Sequence, residues 1–174
     1  MTRPQLVLLD RDGTLNVKAP EGEYVTSEAA LELLPGAGDA VARLNRSGIG
    51  VAVVTNQRGV ALGRMTERDL EAVHAGLARR LEAHGARIDA VYHCPHERGA
   101  CECRKPEPGM LLRAARDFGA APGRTVMVGD AGSDVEAGRR AGMVTVQLTA
   151  GRAGSRADRV APTLAAAVDL LLAA

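Results

Sequence analysis

Asp10 and Asp12, in "LVLLDRDGT", follow a short apolar run near the start of the chain. A second run, "GVAVVTNQ", ends in Thr55 and Asn56, and "TVMVGDAGSD" ends in Asp130 with Asp134 four residues on. Each group alone also reads as something ordinary: "DG" as a turn, Thr55 and Asn56 as a strand exit or helix cap, Asp130 and Asp134 as caps of a following helix. Taken together, carboxylates, a hydroxyl and an amide lie at the carboxyl ends of three apolar strands. Parallel α/β sheets bind their ligands there. Asp10 and Asp130 brought together would repel unless a cation lay between them, and hard oxygen ligands select Mg2+. Such an ion beside a hydroxyl and an amide suits a phosphoryl group.

The second chemical feature is "YHCPHERGACECRKPEPG", Tyr92 to Gly109, which holds all three cysteines and an Arg-Lys pair. Cys94, His96, Cys101 and Cys103 form C-x-H-x4-C-x-C, a tetrahedral set of soft ligands for Zn2+. Free or redox thiols are the alternative, weakened by the lack of a C-x-x-C pair. His93 is adjacent and competes only if it turns toward His96, which an extended chain disfavours. A closed four-ligand site has no open position for catalysis. Its expected work is to fix the loop over residues 94–103 and aim Arg104 and Lys105 at the phosphoryl site. Read alone, Lys105 is a solvated surface lysine.

The positioning elements are legible from apolar runs and their punctuation. Strands are expected at "QLVLLD", Ile49 to Thr55, "IDAVYHC", "TVMVGD" and "MVTVQL". Helices are expected from about Pro35 to Gly48, from Thr66 to Gly85, over "EPGMLLRAARDFG", over "DVEAGRRAG" and from Thr163 to the end. Thr66 should cap the clearest helix, with Leu70, Val73, Leu77 and Leu81 as its apolar stripe. "AGRAGSRADR" reads as a loop. Strands apolar on both faces, alternating with helices, predict a parallel sheet covered on both sides. The fold class is therefore α/β, a Rossmann-like three-layer sandwich in a single domain over residues 1–174. No large insertion interrupts the pattern, so no cap domain is expected.

"LVLLDRDGT", "VVTN", "CRKP" and "VGDAGSD" resemble, in order, the four motifs of the haloacid-dehalogenase-like superfamily, mostly phosphatases. That resemblance implies a nucleophile at Asp10 and a general acid and base at Asp12, whose backbone carbonyl also binds Mg2+. It implies that Thr55 binds the phosphoryl oxygens, that Lys105 neutralises charge, and that Asp130, with Asp10, binds Mg2+. The "CPH" and "CECRKP" segments are similar to a zinc-bearing branch that contains heptose-bisphosphate phosphatases and histidinol-phosphate phosphatases, with the wider pattern nearer the former. The implied reaction is hydrolysis of a small phosphorylated sugar, at the 7-phosphate of a heptose bisphosphate, with histidinol phosphate as the alternative. By the same resemblance Arg104 contacts substrate phosphates, Asn56 assists at the transferring phosphate, and the early loop "NVKAPEGEYVTSE" with the residues near Arg58 shapes the pocket. Arg152 lines another edge without an assigned role. The branch commonly carries Lys where this chain has Ala131, which removes a positive charge from the phosphate region.

Composition excludes several other classes. The 174 residues carry a formal net charge of +1, and only Tyr24, Tyr92 and Phe118 are aromatic. Neither bulk charge nor a stacking surface supports nucleic-acid binding by a zinc-containing module, the remaining alternative. No apolar run approaches the roughly 20 residues that span a bilayer. With no signal-peptide pattern and three cysteines that cannot all pair, the expectation is a cytoplasmic monomer.

Overall fold

The computed structural model describes residues 3–149 and 154–173. Its sheet has six parallel strands: β1 (Leu6–Leu9), β2 (Gly50–Asn56), β3 (Ala90–Cys94), β4 (Thr125–Gly129), β5 (Val144–Leu148) and β6 (Arg159–Ala161). Their order across the sheet is β3-β2-β1-β4-β5-β6. Among the described residues five α-helices follow strands, with none between β5 and β6: α1 (Ala37–Arg46), α2 (Glu67–Glu82), α3 (Gly109–Asp117), α4 (Gly132–Arg140) and α5 (Leu164–Leu172). The chain is thus an α/β protein with a Rossmann-like fold around a central parallel sheet.

Successive residues of a strand face opposite sides, so each central strand feeds two cores. Val7, Leu9, Val51 and Val53 pack with residues of α1, α2 and α5 on one side. Leu6, Leu8, Ala52, Val54 and Met127 pack with residues of α3 and α4 on the other. All four residues of β1 are fully buried, as expected of the innermost strand.

The helices start and stop where side-chain chemistry allows. Thr66 Oγ1 accepts from Asp69 N at 3.1 Å, while Asp69 Oδ2 accepts from Thr66 N at 2.8 Å, a reciprocal cap on α2. Its stripe Leu70, Val73, Leu77 and Leu81 is buried, each side chain contributing roughly 1.5–3 kcal/mol relative to exposure. Thr163 caps α5 through Ala166 N. Pro35 lies outside α1, because Gly36 adopts a left-handed φ of 75° and turns the chain before the helix begins.

Two expectations about strands are corrected. The segment read as a loop through Arg159 ends in β6, whose three residues lie beside β5. A strand that short carries no readable apolar alternation. β3 is not apolar on both faces: as an edge strand it leaves Val91 exposed and buries only Cys94 fully. Residues 150–153, with Arg152 among them, lie outside the described residues. No helix among the described residues is long and apolar enough to cross a membrane.

Candidate active site

Parallel registry sets the site. Leu9 pairs with Val53 of β2 on one side and Val128 of β4 on the other. Asp10, Thr55 and Asp130 therefore emerge together at the carboxyl edge of the sheet. Lys105 arrives from the loop after β3, 95 residues from Asp10 in sequence. Its Nζ lies 2.8 Å from Asp10 Oδ1, 2.6 Å from Asp134 Oδ1 and 2.8 Å from Val54 O. An ammonium has three hydrogens, and all three are used. Lys105 is 3% exposed, so the solvated-surface alternative is wrong.

Burial pulls the Lys105 pKa down, but the charges of Asp10 and Asp134 outweigh it and hold the ammonium above its ordinary value. Burial pushes Asp10 up to about 7, against the opposing charge of Lys105, with Asp134 and Asp12 adding repulsion. A carboxylate in that position is held ionised by whatever positive charge reaches it.

From sequence Asp134 stands among the strand-end carboxylates and as a helix cap, with no role of its own assigned. Its Oδ2 accepts from Ala131 N at 3.0 Å, so the capping role is real, while Oδ1 meets Lys105. It fits because Gly129 is a glycine: a Cβ there would collide with the Asp134 carboxylate. Carboxylate oxygens of Asp10, Asp130 and Asp134 lie within 4.8 Å of one another. Asp130 Oδ1 is buried without a hydrogen-bond partner, and its Oδ2 accepts from Lys18 Nζ at 2.9 Å. An all-oxygen set with an unsatisfied buried acceptor fits a hard divalent cation. Lys18 belongs to the early loop expected to shape the pocket, and lines it, but its pairing with Asp130, 112 residues away, could not be read from sequence.

The other expected groups divide. Thr55 and Asn56 line a cavity of about 360 Å³ together with Asp10, Asp12, Lys18, Arg104, Lys105 and Asp134. Asn56 also clamps the Lys105 backbone, donating to its carbonyl at 2.9 Å and accepting from its N–H at 3.1 Å. Asp12 is gripped by Arg11, Asn16 and Gln57. Arg104 faces the cavity and donates to His96 O at 3.3 Å. Arg58 instead pairs with Glu97 at 2.7 Å and is not part of the cavity lining, where Arg98 stands.

Beside the cavity, Cys94, His96, Cys101 and Cys103 turn their ligand atoms toward one another, all within 4.8 Å. Sulfur separations run from 3.2 to 3.5 Å, and His96 Nδ1 lies 3.5 Å from Cys94 and 3.4 Å from Cys103. His93 points away to Glu67 at 2.9 Å, leaving four convergent donors. Burial, with the hydrogen bonds that Cys103 donates to Cys94 and Cys101, pushes its thiol up to about 12. A bound cation offsets that cost, so this cluster too can hold a metal. Only Arg104 separates Cys103 from Lys105.

Comparison with known proteins decides the family. The chain is 40% identical over 149 residues to a D-glycero-beta-D-manno-heptose-1,7-bisphosphate 7-phosphatase of Rhodopseudomonas palustris, covering 81% of each. The chain belongs to the haloacid-dehalogenase-like phosphatase superfamily. Residues 102–172 match the model of its HAD-hydrolase-like family. Within the superfamily it is closely related to the heptose-1,7-bisphosphate 7-phosphatases. A Mycobacterium tuberculosis enzyme named for the alpha anomer is 36% identical, over 87% of this chain and 83% of its own. The heptose-bisphosphate phosphatase of B. bronchiseptica, solved with magnesium and phosphate, superposes with a TM-score of 0.89 at 34% identity, over 97% of this chain and 98% of that one. This superfamily member therefore shares its fold with its heptose-phosphatase relatives.

Proposed function

We propose that this protein is a Mg2+-dependent phosphatase that removes the 7-phosphate of D-glycero-D-manno-heptose 1,7-bisphosphate through an aspartyl-phosphate. The observation that carries the mechanism is the Lys105 ammonium buried between Asp10 and Asp134, with Asp12 and Thr55 on the same cavity. The relatives' named substrate supplies the sugar.

Asp10 is the nucleophile, and its carboxylate attacks phosphorus as the P–O bond to the sugar breaks. Asp12 gives its proton to the departing oxygen, then takes one from the water that attacks the aspartyl-phosphate. Phosphate leaves and Asp10 returns to its starting state. Lys105 neutralises charge on the transferring oxygens, and Thr55 holds them by hydrogen bonding. Asp10, Asp130 and the Asp12 carbonyl would hold Mg2+, with Asp134 beside them, and the bound ion would supply electrophilic activation of the phosphoryl group. Asn56 acts by fixing the Lys105 backbone. Arg104, with Arg98 nearby, faces the second phosphate. An adjoining cavity of about 410 Å³ that shares both arginines supports a substrate with two anionic ends.

Cys94, His96, Cys101 and Cys103 bind a structural Zn2+ that holds the loop 94–103 and thereby Arg104 and Lys105. Three thiolates and an imidazole favour Zn2+ over harder ions. One sheet covered on both sides by helices supports a single domain over 1–174 without a cap; that it acts as a monomer is part of the proposal.

The test is phosphate release from both heptose bisphosphate anomers, heptose monophosphates and histidinol phosphate, with Mg2+ or with chelator. The expected result is Mg2+-dependent release of one phosphate from a bisphosphate anomer, abolished in Asp10→Asn. Preference for histidinol phosphate would replace the substrate assignment, and activity surviving Asp10→Asn would remove the mechanism.

A further inference from the structure

Asp12 has to meet the sugar oxygen in one half-reaction and a water in the next, so the direction of its carboxyl group matters as much as its presence. Three side chains hold that group. Arg11 donates to Oδ1 from Nε at 3.3 Å and from Nη2 at 3.1 Å, and Nη2 also reaches Oδ2 at 3.0 Å. Asn16 Nδ2 donates to Oδ1 at 2.9 Å, and Gln57 Nε2 donates to Oδ2 at 2.9 Å.

These three residues are buried, with exposures of 0% for Arg11, 0% for Asn16 and 1% for Gln57. The Asp12 side chain keeps 23% exposure and faces the cavity. A fully buried arginine is costly unless a carboxylate pairs with it, and Asp12 is the only acid that pairs with Arg11 among the described residues. Its Nη1 has no hydrogen-bond partner among the described residues. Asn16 is itself pinned: its Nδ2 also donates to Val17 O at 2.8 Å, and its backbone N–H to Arg11 O at 3.2 Å. Gln57 donates in addition to Thr55 Oγ1 at 2.8 Å, which ties the proton donor to the phosphoryl-binding hydroxyl.

We propose that Arg11, Asn16 and Gln57 are positioning residues that aim Asp12 at the leaving oxygen of the substrate, an inference that rests on the phosphatase mechanism above. The arrangement makes their contribution specific to one step. A sugar alkoxide leaves only as it is protonated, so cleavage of its P–O bond needs a well-aimed Asp12. Nitrophenolate departs without a proton, so p-nitrophenyl phosphate does not need that aim. The ratio kcat/KM reports the steps through P–O cleavage, and hence the acid role of Asp12 but not its later role as base.

The experiment measures kcat/KM for heptose bisphosphate and for p-nitrophenyl phosphate in wild type, Asp12→Asn, Gln57→Met, Arg11→Met and Arg11→Lys, with thermal unfolding to check each fold. Gln57→Met and Arg11→Met should lower the sugar value about 10- to 100-fold more than the nitrophenyl value. Arg11→Lys should recover part of that gap. Any weakening of Thr55 by Gln57→Met enters both substrates alike and cancels in the ratio. Equal losses on both substrates, or none on either, would overturn the inference. Gln57→Met keeps the test standing if Arg11→Met does not fold. If Asp12→Asn itself fails to discriminate between leaving groups, the acid assignment falls. If Asp12→Asn discriminates and Gln57→Met does not, only the positioning role falls.

Discussion

Replacing Lys105 with methionine keeps most of the side-chain volume but leaves Val54 O, Asp10 and Asp134 facing an uncharged terminus. The buried carbonyl alone costs about 1–3 kcal/mol when unsatisfied. Removing one partner of a buried ion pair costs about 3–5 kcal/mol. These penalties overlap, and Asp10 escapes part of them by taking a proton, since burial already raises it to about 7. The expected loss in chelator at pH 8 is therefore about 3–5 kcal/mol, and it shrinks toward pH 6. For a chain of this size that corresponds to a Tm lower by about 6–20 °C. Mg2+ stabilises whatever binds it, and it should raise the Tm of Lys105→Met more than that of wild type because the acidic cluster has lost its internal cation. Phosphatase activity should fall about 100- to 1,000-fold even at saturating Mg2+. The assay is thermal unfolding at pH 6 and pH 8, with and without Mg2+. A variant that unfolds within 2 °C (about 1 kcal/mol or less) of wild type in chelator, or gains no extra Tm from Mg2+, would refute the reasoning.

Two further perturbations test other parts of the molecule. Burial first, then the charges of Arg11 and His93, depress His74 from 6.5 to about 3. Between those values the unfolded chain binds a proton that the folded chain excludes. The stability contributed by the neutral ring is thus complete above about pH 6.5 and drains away as pH falls toward 3. Denaturant unfolding should show a loss on the order of 2 kcal/mol between pH 8 and pH 5, absent in His74→Leu. A slope that persists in His74→Leu would assign it to other groups. Cys101→Ser should release zinc, measured by metal analysis, and lose most activity although no bond is made or broken at Cys101. Full activity in stably zinc-free protein would sever the loop from the chemistry.

Much of this site was readable because its residues occupy places that sequence marks plainly. Asp10, Thr55 and Asp130 end apolar strands, and a parallel sheet brings such ends together. The four soft ligands fall within ten residues, so their convergence needs little from the rest of the fold. Asp134 was hidden by its own correct capping role, since one carboxylate oxygen serves the α4 backbone while the other meets Lys105. Residue 134 does lie four positions after Asp130, a spacing that brings side chains near one another at a helix start. The loop that carries Lys18 was legible as a pocket wall, but its pairing with Asp130 was not, because that depends on the path of a loop without periodicity. Arg11, between two acids, carries no mark of burial in the sequence, yet it is fully buried and paired with Asp12. Arg58 was expected at the pocket, but Glu97 holds it.

The strand that carries Asp10 contains no internal mark of its own position. Leu6, Val7, Leu8 and Leu9 are all fully buried, so a slip of one residue would still present apolar side chains to both cores. It would also carry the Asp10 carboxylate about 3.3 Å along the strand, more than a hydrogen-bond length from Lys105. Backbone hydrogen bonds are alike at every residue and re-form after a slip, whereas the buried pair of Asp10 and Lys105 exists in one register only. Hydrophobicity thus drives this strand into the sheet but is blind to its alignment, and one ion pair beyond its end marks the register in which the buried strand is also an active one.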